Sequence, residues 1–427
     1  MSKRPTRYQA RIAVGAQALP VGQLTLVQDS RREYSAFAYD AQWLSHPESF
    51  EISPDLPLTE GWVNRRALSD LDSPFPFALA DTQPDAWGVR IIRRAHAKRR
   101  AQQPSLPPLT PFDSLAAVDD FSRIGALRLQ NERGEFLRSA SEHRTPQLVD
   151  LAKIASAARE VEQGSESTAD LEFLQGKATS LGGLRPKCTV LEEDGSLAIG
   201  KFSSVTDERS VVGGELLALK LFARAGAVVA AARLVTIEGT AVAVIRRFDR
   251  TPQAARIPYL SGGSLLLAHR GQDRSYFELA DAIRRVGAEP TLDVQELWRR
   301  LLINLLITNV DDHLWNVGFL YAGDGKWRLA PAFDVNPFPD RQRESKTWLS
   351  DQSGPITSLE QLLAASRYFA LSRADAEAVA AAVGGEVAQW RQVAASKDVG
   401  LSDAQVADFE TAFEHADARA ARALGAP

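Results

Sequence analysis

Apolar positions along the chain change period twice, and the changes outline three regions. Short runs open the sequence: Ile12-Ala13-Val14, Val21 to Val27 and Tyr34 to Tyr39, with turn residues between them. Such runs predict strands. Between Asp81 and Arg100 the pattern becomes helical, and Trp87, Val89, Ile91 and Ile92 mix with Arg90, Arg93, Arg94, Lys98, Arg99 and Arg100. Pro104, Pro107, Pro108 and Pro111 then break the chain, which marks a boundary. From about 112 to 250 the reading is mixed. Asp194-Gly195 lies between the apolar runs Lys187–Leu191 and Leu197–Phe202, a hairpin signal. Gly213-Gly214 opens a helix through Glu215, Leu216, Leu219 and Phe222, and Gly226 ends it. Ala232 to Ile237 and Ala241 to Ile245 read as two further strands. Beyond about 260 the chain is mainly helical. Val294, Leu297, Trp298, Leu301, Leu302, Leu305 and Leu306 recur at helical spacing. Asp293, with Glu296 three residues on, predicts a capping box at the start of that helix. The tail after Leu371 is Ala-rich and helical in propensity. The expected units are 1–110, rich in strands, 111–255, mixed α and β, and 256–427, helical.

Composition narrows the class. Of 427 residues, 44% are hydrophobic and 24% charged, which is globular composition and excludes disorder throughout. A net charge of −4 argues against a globally basic nucleic-acid binder but leaves room for a local patch. The basic run Arg90–Arg100 is open to two readings, a solvated helix face or a contact surface for nucleic acid or an acidic partner. The single cysteine, Cys188, permits no intrachain disulfide and fits a reducing compartment, so a cytoplasmic location is expected. The most apolar stretch, Ala225 to Val235, carries Arg233 and is too short to span a bilayer. The six histidines are scattered, with no pair at metal-ligand spacing.

Four features carry candidate chemistry. Thr179-Ser180-Leu181-Gly182-Gly183-Leu184-Arg185-Pro186-Lys187 sets small residues before a strand. Its backbone amides suit a phosphate, and an ordinary turn explains the glycines equally well. Gly195 to Lys201 has Walker A spacing, but Phe202 stands where a magnesium-binding Ser or Thr is required, so that motif is rejected. The second feature is Lys201, which shares a strand face with Leu197 and Ile199 by period-2 alternation. It resembles the phosphate-holding lysine of kinases, and a strand-end lysine snorkelling to water has the same pattern. Glu215 is a candidate partner. The third feature is Asn309-Val310-Asp311-Asp312-His313-Leu314-Trp315-Asn316 after the long helix. Asp followed five residues later by Asn matches the kinase catalytic loop, in which the Asp reaches the acceptor hydroxyl and the Asn a magnesium ion. The fourth is Ala332-Phe333-Asp334-Val335, eighteen residues beyond Asn316, where kinases place a second metal-binding Asp.

Taken together these segments resemble the HipA family of serine/threonine protein kinases, toxins of bacterial toxin–antitoxin pairs. The resemblance runs over nearly the whole length. Leu79-Ala80-Asp81-Thr82-Gln83-Pro84-Asp85-Ala86-Trp87-Gly88 is similar to the family's Asp-x-x-Pro-Asp-x-Trp-Gly signature. Arg123-Ile124-Gly125-Ala126-Leu127, Arg247-Phe248-Asp249-Arg250, Arg256 to Ser261 and Asn309 to Asn316 match further elements in order.

The resemblance implies an α+β, two-lobed protein-kinase-like fold: a β-rich N-terminal module, a nucleotide-binding lobe and a helical catalytic lobe. It implies ATP and Mg2+ as cofactors. Asp311 would be the catalytic base, with Asn316 and Asp334 as magnesium ligands. Ser180, Gly182, Gly183, Lys187, Lys201, Arg246, Arg247, Phe248, Asp249 and His313 would bind ATP, and Ser180 would be the autophosphorylated loop serine. The loop Gly182 to Lys187 and Asp312 depart from the family pattern, at positions not expected to be required. The implied partners are a small DNA-binding HipB-like antitoxin, encoded separately, and a protein substrate such as an aminoacyl-tRNA synthetase. DNA contact would occur within the toxin–antitoxin complex. A catalytically weak repressor partner and a kinase of a non-protein acceptor are the alternatives.

Overall fold

The structure, a computed structural model, describes residues 6–28, 33–139, 150–177, 185–253 and 255–425, with the side chains of 175–177 left aside. The first sheet is antiparallel and holds β1 (Thr6–Val14), β2 (Leu19–Gln28), β3 (Glu33–Tyr39), β4 (Val63–Arg65) and β5 (Leu127–Gln130), in the order β4-β3-β2-β1-β5. The three strands expected from alternation are therefore present. Register sets Leu24 opposite Ala10 on one side and Phe37 on the other, and all three are buried. Because β5 pairs with β1, the first sheet does not close at residue 110.

The second sheet holds β6 (Lys187–Leu191), β7 (Leu197–Phe202), β8 (Ala232–Ile237) and β9 (Thr240–Arg246), in the order β6-β7-β9-β8. Its hairpin turns at Asp194-Gly195 as expected. Gly195 takes φ +77° there, and its N–H donates to the Glu192 carbonyl at 3.0 Å; the left-handed conformation costs glycine nothing. Alternation then sorts the two faces. Val190, Ala198, Phe202, Val242 and Val244 bury against Trp87, Ile91 and Ala95 of the helix Ala86–Gln102 and against the helix Leu151–Gln163. The basic helix is thus real, and its apolar stripe is core. Arg94 pairs with Glu166 at 2.7 Å, while Arg99 and Arg100 remain exposed.

The opposite face meets the helix Val211–Arg224, capped by the Ser210 side chain on Gly213 N–H. Leu216, Leu217, Leu219 and Phe222 join the main core with Ala243 and Ile245. That core runs on into the third unit, built on β10 (Tyr259–Ser261), β11 (Gly318–Gly323) and β12 (Lys326–Leu329), with the hairpin β13 (Trp348–Ser350) and β14 (Gly354–Pro355). The helices Tyr276–Val286, Pro290–Leu306 and Arg373–Val387 surround them.

The long helix begins one turn earlier than expected, with Pro290 in its first turn and no side-chain cap. Proline needs no hydrogen-bond partner at that position, which frees the two carboxylates for other work. Asp293 accepts from Leu329 N–H at 3.2 Å, and Glu296 accepts from Val228 N–H at 2.9 Å. The capping-box expectation is therefore corrected: both side chains tie the helix to its neighbours. The helix ends at Leu306, and the chain turns away at Thr308, whose φ is +55°. Asn309 N–H returns to the Asn304 carbonyl at 2.8 Å, a Schellman closure. A β-branched residue in the left-handed region is strained. Thr308 is held there by its hydroxyl, which donates to the Ala412 carbonyl at 2.8 Å.

Candidate functional site

A cleft of about 620 Å³ opens where the three units meet. Asp81 and Asp85 line it from the first unit, Ile199 and Lys201 from β7, Arg246 to Asp249 from the chain after β9, and Asn316, Phe333 and Asp334 from the third unit. Its aromatic wall is Phe248, with ring centroids 5.4 Å from Phe333 and 6.4 Å from Tyr259.

Lys201 is the centre of its charge. Its Nζ lies 2.5 Å from Glu215 Oε1 and 2.7 Å from Asp334 Oδ1. Burial alone would lower the ammonium pKa, but the two carboxylates outweigh it and raise it. Burial pushes Asp334 up, and Lys201 and Lys187 overcome this, holding it below the usual carboxylate range. Glu215 is lifted, first by burial and then by the charge of Asp334. Glu215 was expected as a partner of Lys201, whereas the contact of Lys201 with Asp334 was not anticipated. Asp334 sits at φ +54°, a conformation Asp tolerates better than most residues.

Asn316 closes the loop that begins at Asp311. Its Nδ2 donates to the Asp311 carbonyl at 3.0 Å. A carbonyl only accepts, so the amide orientation is forced and Oδ1 faces elsewhere. Asn316 and Asp334 share the cleft wall and offer hard oxygen donors, which fit Mg2+ shared with phosphate oxygens. Among the described residues, no three His, Cys, Asp or Glu side chains form a metal cluster. Asp311 keeps its carboxylate 37% exposed, in contact with Lys346 Nζ.

Asp312, where the loop departs from the family pattern, is built into the interior. The side chain is buried and accepts from Tyr276 Oη at 2.8 Å and from Lys346 N–H at 2.7 Å. Its carbonyl, 2.7 Å from Tyr276 Oη, shares that single phenol proton with the carboxylate, and it accepts from Thr347 Oγ1 at 3.0 Å. Burial pushes its pKa up to about 6.

The other candidates are placed as follows. Lys187 is buried on β6, 3.1 Å from Asp85 Oδ2. Arg246 extends to Asp194 at 3.0 Å. Arg247 and Asp249 form a buried pair at 2.6 Å, and Arg247 also reaches the Ser122 and Arg123 carbonyls. The Arg247 and Asp249 side chains thus fasten the chain to residues 122–125 while lining the cleft edge, and Phe248 adds its ring to the wall beside Tyr259 and Phe333. Burial lowers the His313 pKa, and its Nδ1 has no partner among the described residues. Ser180, Gly182 and Gly183 lie outside the described residues.

Two cleft residues had been noted only as part of a signature. Asp81 accepts from Ser261 N–H at 2.7 Å and Ser261 Oγ at 2.8 Å. Asp85 caps the basic helix through Gly88 N–H at 2.6 Å and pairs with Lys187. An acidic residue just before a helix signals a cap, but its place on a cleft wall has no local signature.

Comparison with known proteins agrees with this architecture. The family model described as HipA N-terminal domain matches residues 12–130, and that described as HipA-like C-terminal domain matches residues 179–391. A protein of Sinorhizobium fredii named "Putative kinase Y4mE" is 25% identical over 350 residues, covering 74% of each chain. Among solved structures, the HipA toxin of Shewanella oneidensis MR-1, in complex with HipB and operator DNA, is similar over 97% of this chain and 96% of its own, with TM-score 0.63 and 15% identity. The Helicobacter pylori proinflammatory kinase CtkA overlaps 58% of this chain and 93% of its own, at 16% identity and TM-score 0.45. Among the described residues no helix is long and apolar enough to cross a membrane. With both of its domains matched in order, and with an α+β, kinase-like fold, the chain belongs to the HipA family.

Proposed function

We propose that this protein is an ATP-dependent serine/threonine protein kinase acting as the toxin of a toxin–antitoxin pair. The observation that carries the reading is the convergence of Lys201, Asp334 and Asn316 on one cleft, with Glu215 buried behind Lys201 and paired to it. That is the set of groups a kinase needs to hold a triphosphate. Lys201 binds phosphate oxygens, oriented by Glu215. Phe248 packs against the adenine. Asn316 and the Asp334 carboxylate would hold Mg2+, which when bound would neutralise charge on the phosphate oxygens. Asp311 takes the proton of the acceptor hydroxyl as its oxygen bonds to the γ-phosphorus. The bond from that phosphorus to the β–γ bridging oxygen breaks, and ADP leaves.

The partner is a HipB-like antitoxin, by likeness to the Shewanella HipA, which is solved with HipB and operator DNA. The basic run Arg90–Arg100, whose Arg99 and Arg100 are exposed, is the surface that would meet DNA in a complex of that kind. The acceptor is a translation component such as an aminoacyl-tRNA synthetase, and Ser180 is the autophosphorylation site. Incubation with γ-labelled ATP, Mg2+ and cell lysate tests the reading. Label should enter a protein Ser or Thr, and Asp311→Asn should reduce it about 10²-fold or more, the usual cost of losing a positioned base. Turnover at the wild-type rate in that variant would remove Asp311 from the mechanism, and label confined to small molecules would refute a protein acceptor. Mass spectrometry of the same samples reads Ser180 and the alternative site Thr179, with the Asp311→Asn protein as control.

A further inference from the structure

Between Asp311 and Asn316 there is no lysine or arginine, so the loop itself supplies Asp311 with no permanent cation. A neighbouring segment, Ser345 to Trp348, does. It is fixed at several points, two of them on the loop. Lys346 N–H donates to Asp312 Oδ1 at 2.7 Å, and Thr347 Oγ1 donates to the Asp312 carbonyl at 3.0 Å. Trp348 N–H donates to the Arg274 carbonyl at 3.1 Å, and Ser345 Oγ accepts from Ile356 N–H at 2.7 Å. Asp312 is itself buried, with Tyr276 Oη on its other oxygen at 2.8 Å. A buried carboxylate satisfied by a phenol and a backbone amide is a rigid anchor, because leaving either donor unpaired is costly. The strap so anchored carries the Lys346 ammonium onto the Asp311 carboxylate. Both side chains are otherwise open, 48% and 37% exposed, so free rotation would be expected without the anchor.

We infer that Lys346 is a positioning residue for Asp311, delivered by a strap that Asp312 anchors. The pair holds Asp311 Oδ1 and leaves Oδ2 to take the acceptor's proton. The inference rests on the kinase reading for its catalytic meaning, so the test has two arms. In the kinetic arm, Lys346→Ala should lower kcat about tenfold while KM for ATP stays within about twofold, since only a transition-state interaction is lost. Lys346→Arg, which keeps the charge, should recover most of the rate. Adding Lys346→Ala to Asp311→Asn should cost nothing further, because residues acting through one another are not additive. Wild-type kcat in Lys346→Ala, or losses that multiply in the double variant, would overturn the inference.

The second arm does not depend on turnover. Lysines of the full chain are reductively 13C-methylated, and the Lys346 resonance is assigned by its loss in Lys346→Arg. That resonance should move in Asp311→Asn and also in Asp312→Ala, where the anchor is cut. An unmoved resonance overturns the strap whether or not the protein is active. A resonance that moves in a wild-type protein transferring no phosphate would sink the kinase reading and leave the pairing standing.

Discussion

Two acidic residues of the cleft answer burial in opposite ways. Asp334 has an ammonium beside it and is held anionic; Asp81 has mainly neutral donors, and burial pushes it up to about 6, against its bonds from Ser261 and the more distant Arg270. The stability consequence has a definite sign. In the unfolded chain Asp81 titrates near 3.8, so between that value and about 6 the folded state binds the proton more tightly. Its stabilising contribution is complete below the unfolded pKa and is lost as pH rises through the folded one. A shift of about two units at about 1.4 kcal/mol each amounts to about 3 kcal/mol. Asp81→Asn is neutral at every pH and should remove this component. Urea unfolding from pH 4 to 7 should show the variant gaining on the wild type by up to that amount as pH rises. A difference independent of pH would mean that Asp81 is ionised in the fold throughout.

At the scale of elements, the segment after β9 is a clasp. Asp249 accepts from Gly125 N–H at 2.7 Å, from Arg247 at 2.6 Å and from Arg250 at 2.7 Å. Gly125 needs its left-handed φ of +69° to present that N–H. Asp249→Ala would leave two buried guanidinium groups facing each other, and should cost about 3–5 kcal/mol in equilibrium unfolding, as breaking one side of a buried ion pair does. A loss under about 1 kcal/mol would show the clasp to be solvated. The family resemblance marked Arg247-Phe248-Asp249-Arg250 as a nucleotide-binding segment, but not the division of labour within it. Charged residues beside a nucleotide-binding segment look alike whether they face a ligand or a backbone carbonyl. Strands and the hairpin were legible because period 2 survives wherever one face is buried, as Ala198 and Phe202 against Ile199 and Lys201 show. The start of the long helix was not, because a proline start leaves Asp293 and Glu296 free to bond elsewhere. Asp312 was missed for the same reason: its partners, Tyr276 and Lys346, lie 36 and 34 residues away in the chain.

The cleft belongs to the whole molecule. Lys201 and Asp334 are 133 residues apart in sequence, and Asp81 and Ser261 are 180 apart. Spacing can nominate such residues one by one, whereas their meeting depends on three units packing around one volume. A ligand that fills the volume therefore stabilises the assembly rather than a single lobe. At a hundredfold excess over Kd, ATP with Mg2+ should add about 2.7 kcal/mol to unfolding stability. Part of this gain should require the metal if, as proposed, Asp334 beside Lys201 and Asn316 in the same cleft are its ligands. Asp334→Ala should abolish the magnesium-dependent part and leave the part seen with ATP and EDTA. Calorimetric titration of both proteins with ATP, in Mg2+ and in EDTA, separates the two. If affinity falls equally in both buffers, Asp334 acts on nucleotide by holding Lys201 in place, and the metal is bound by other groups.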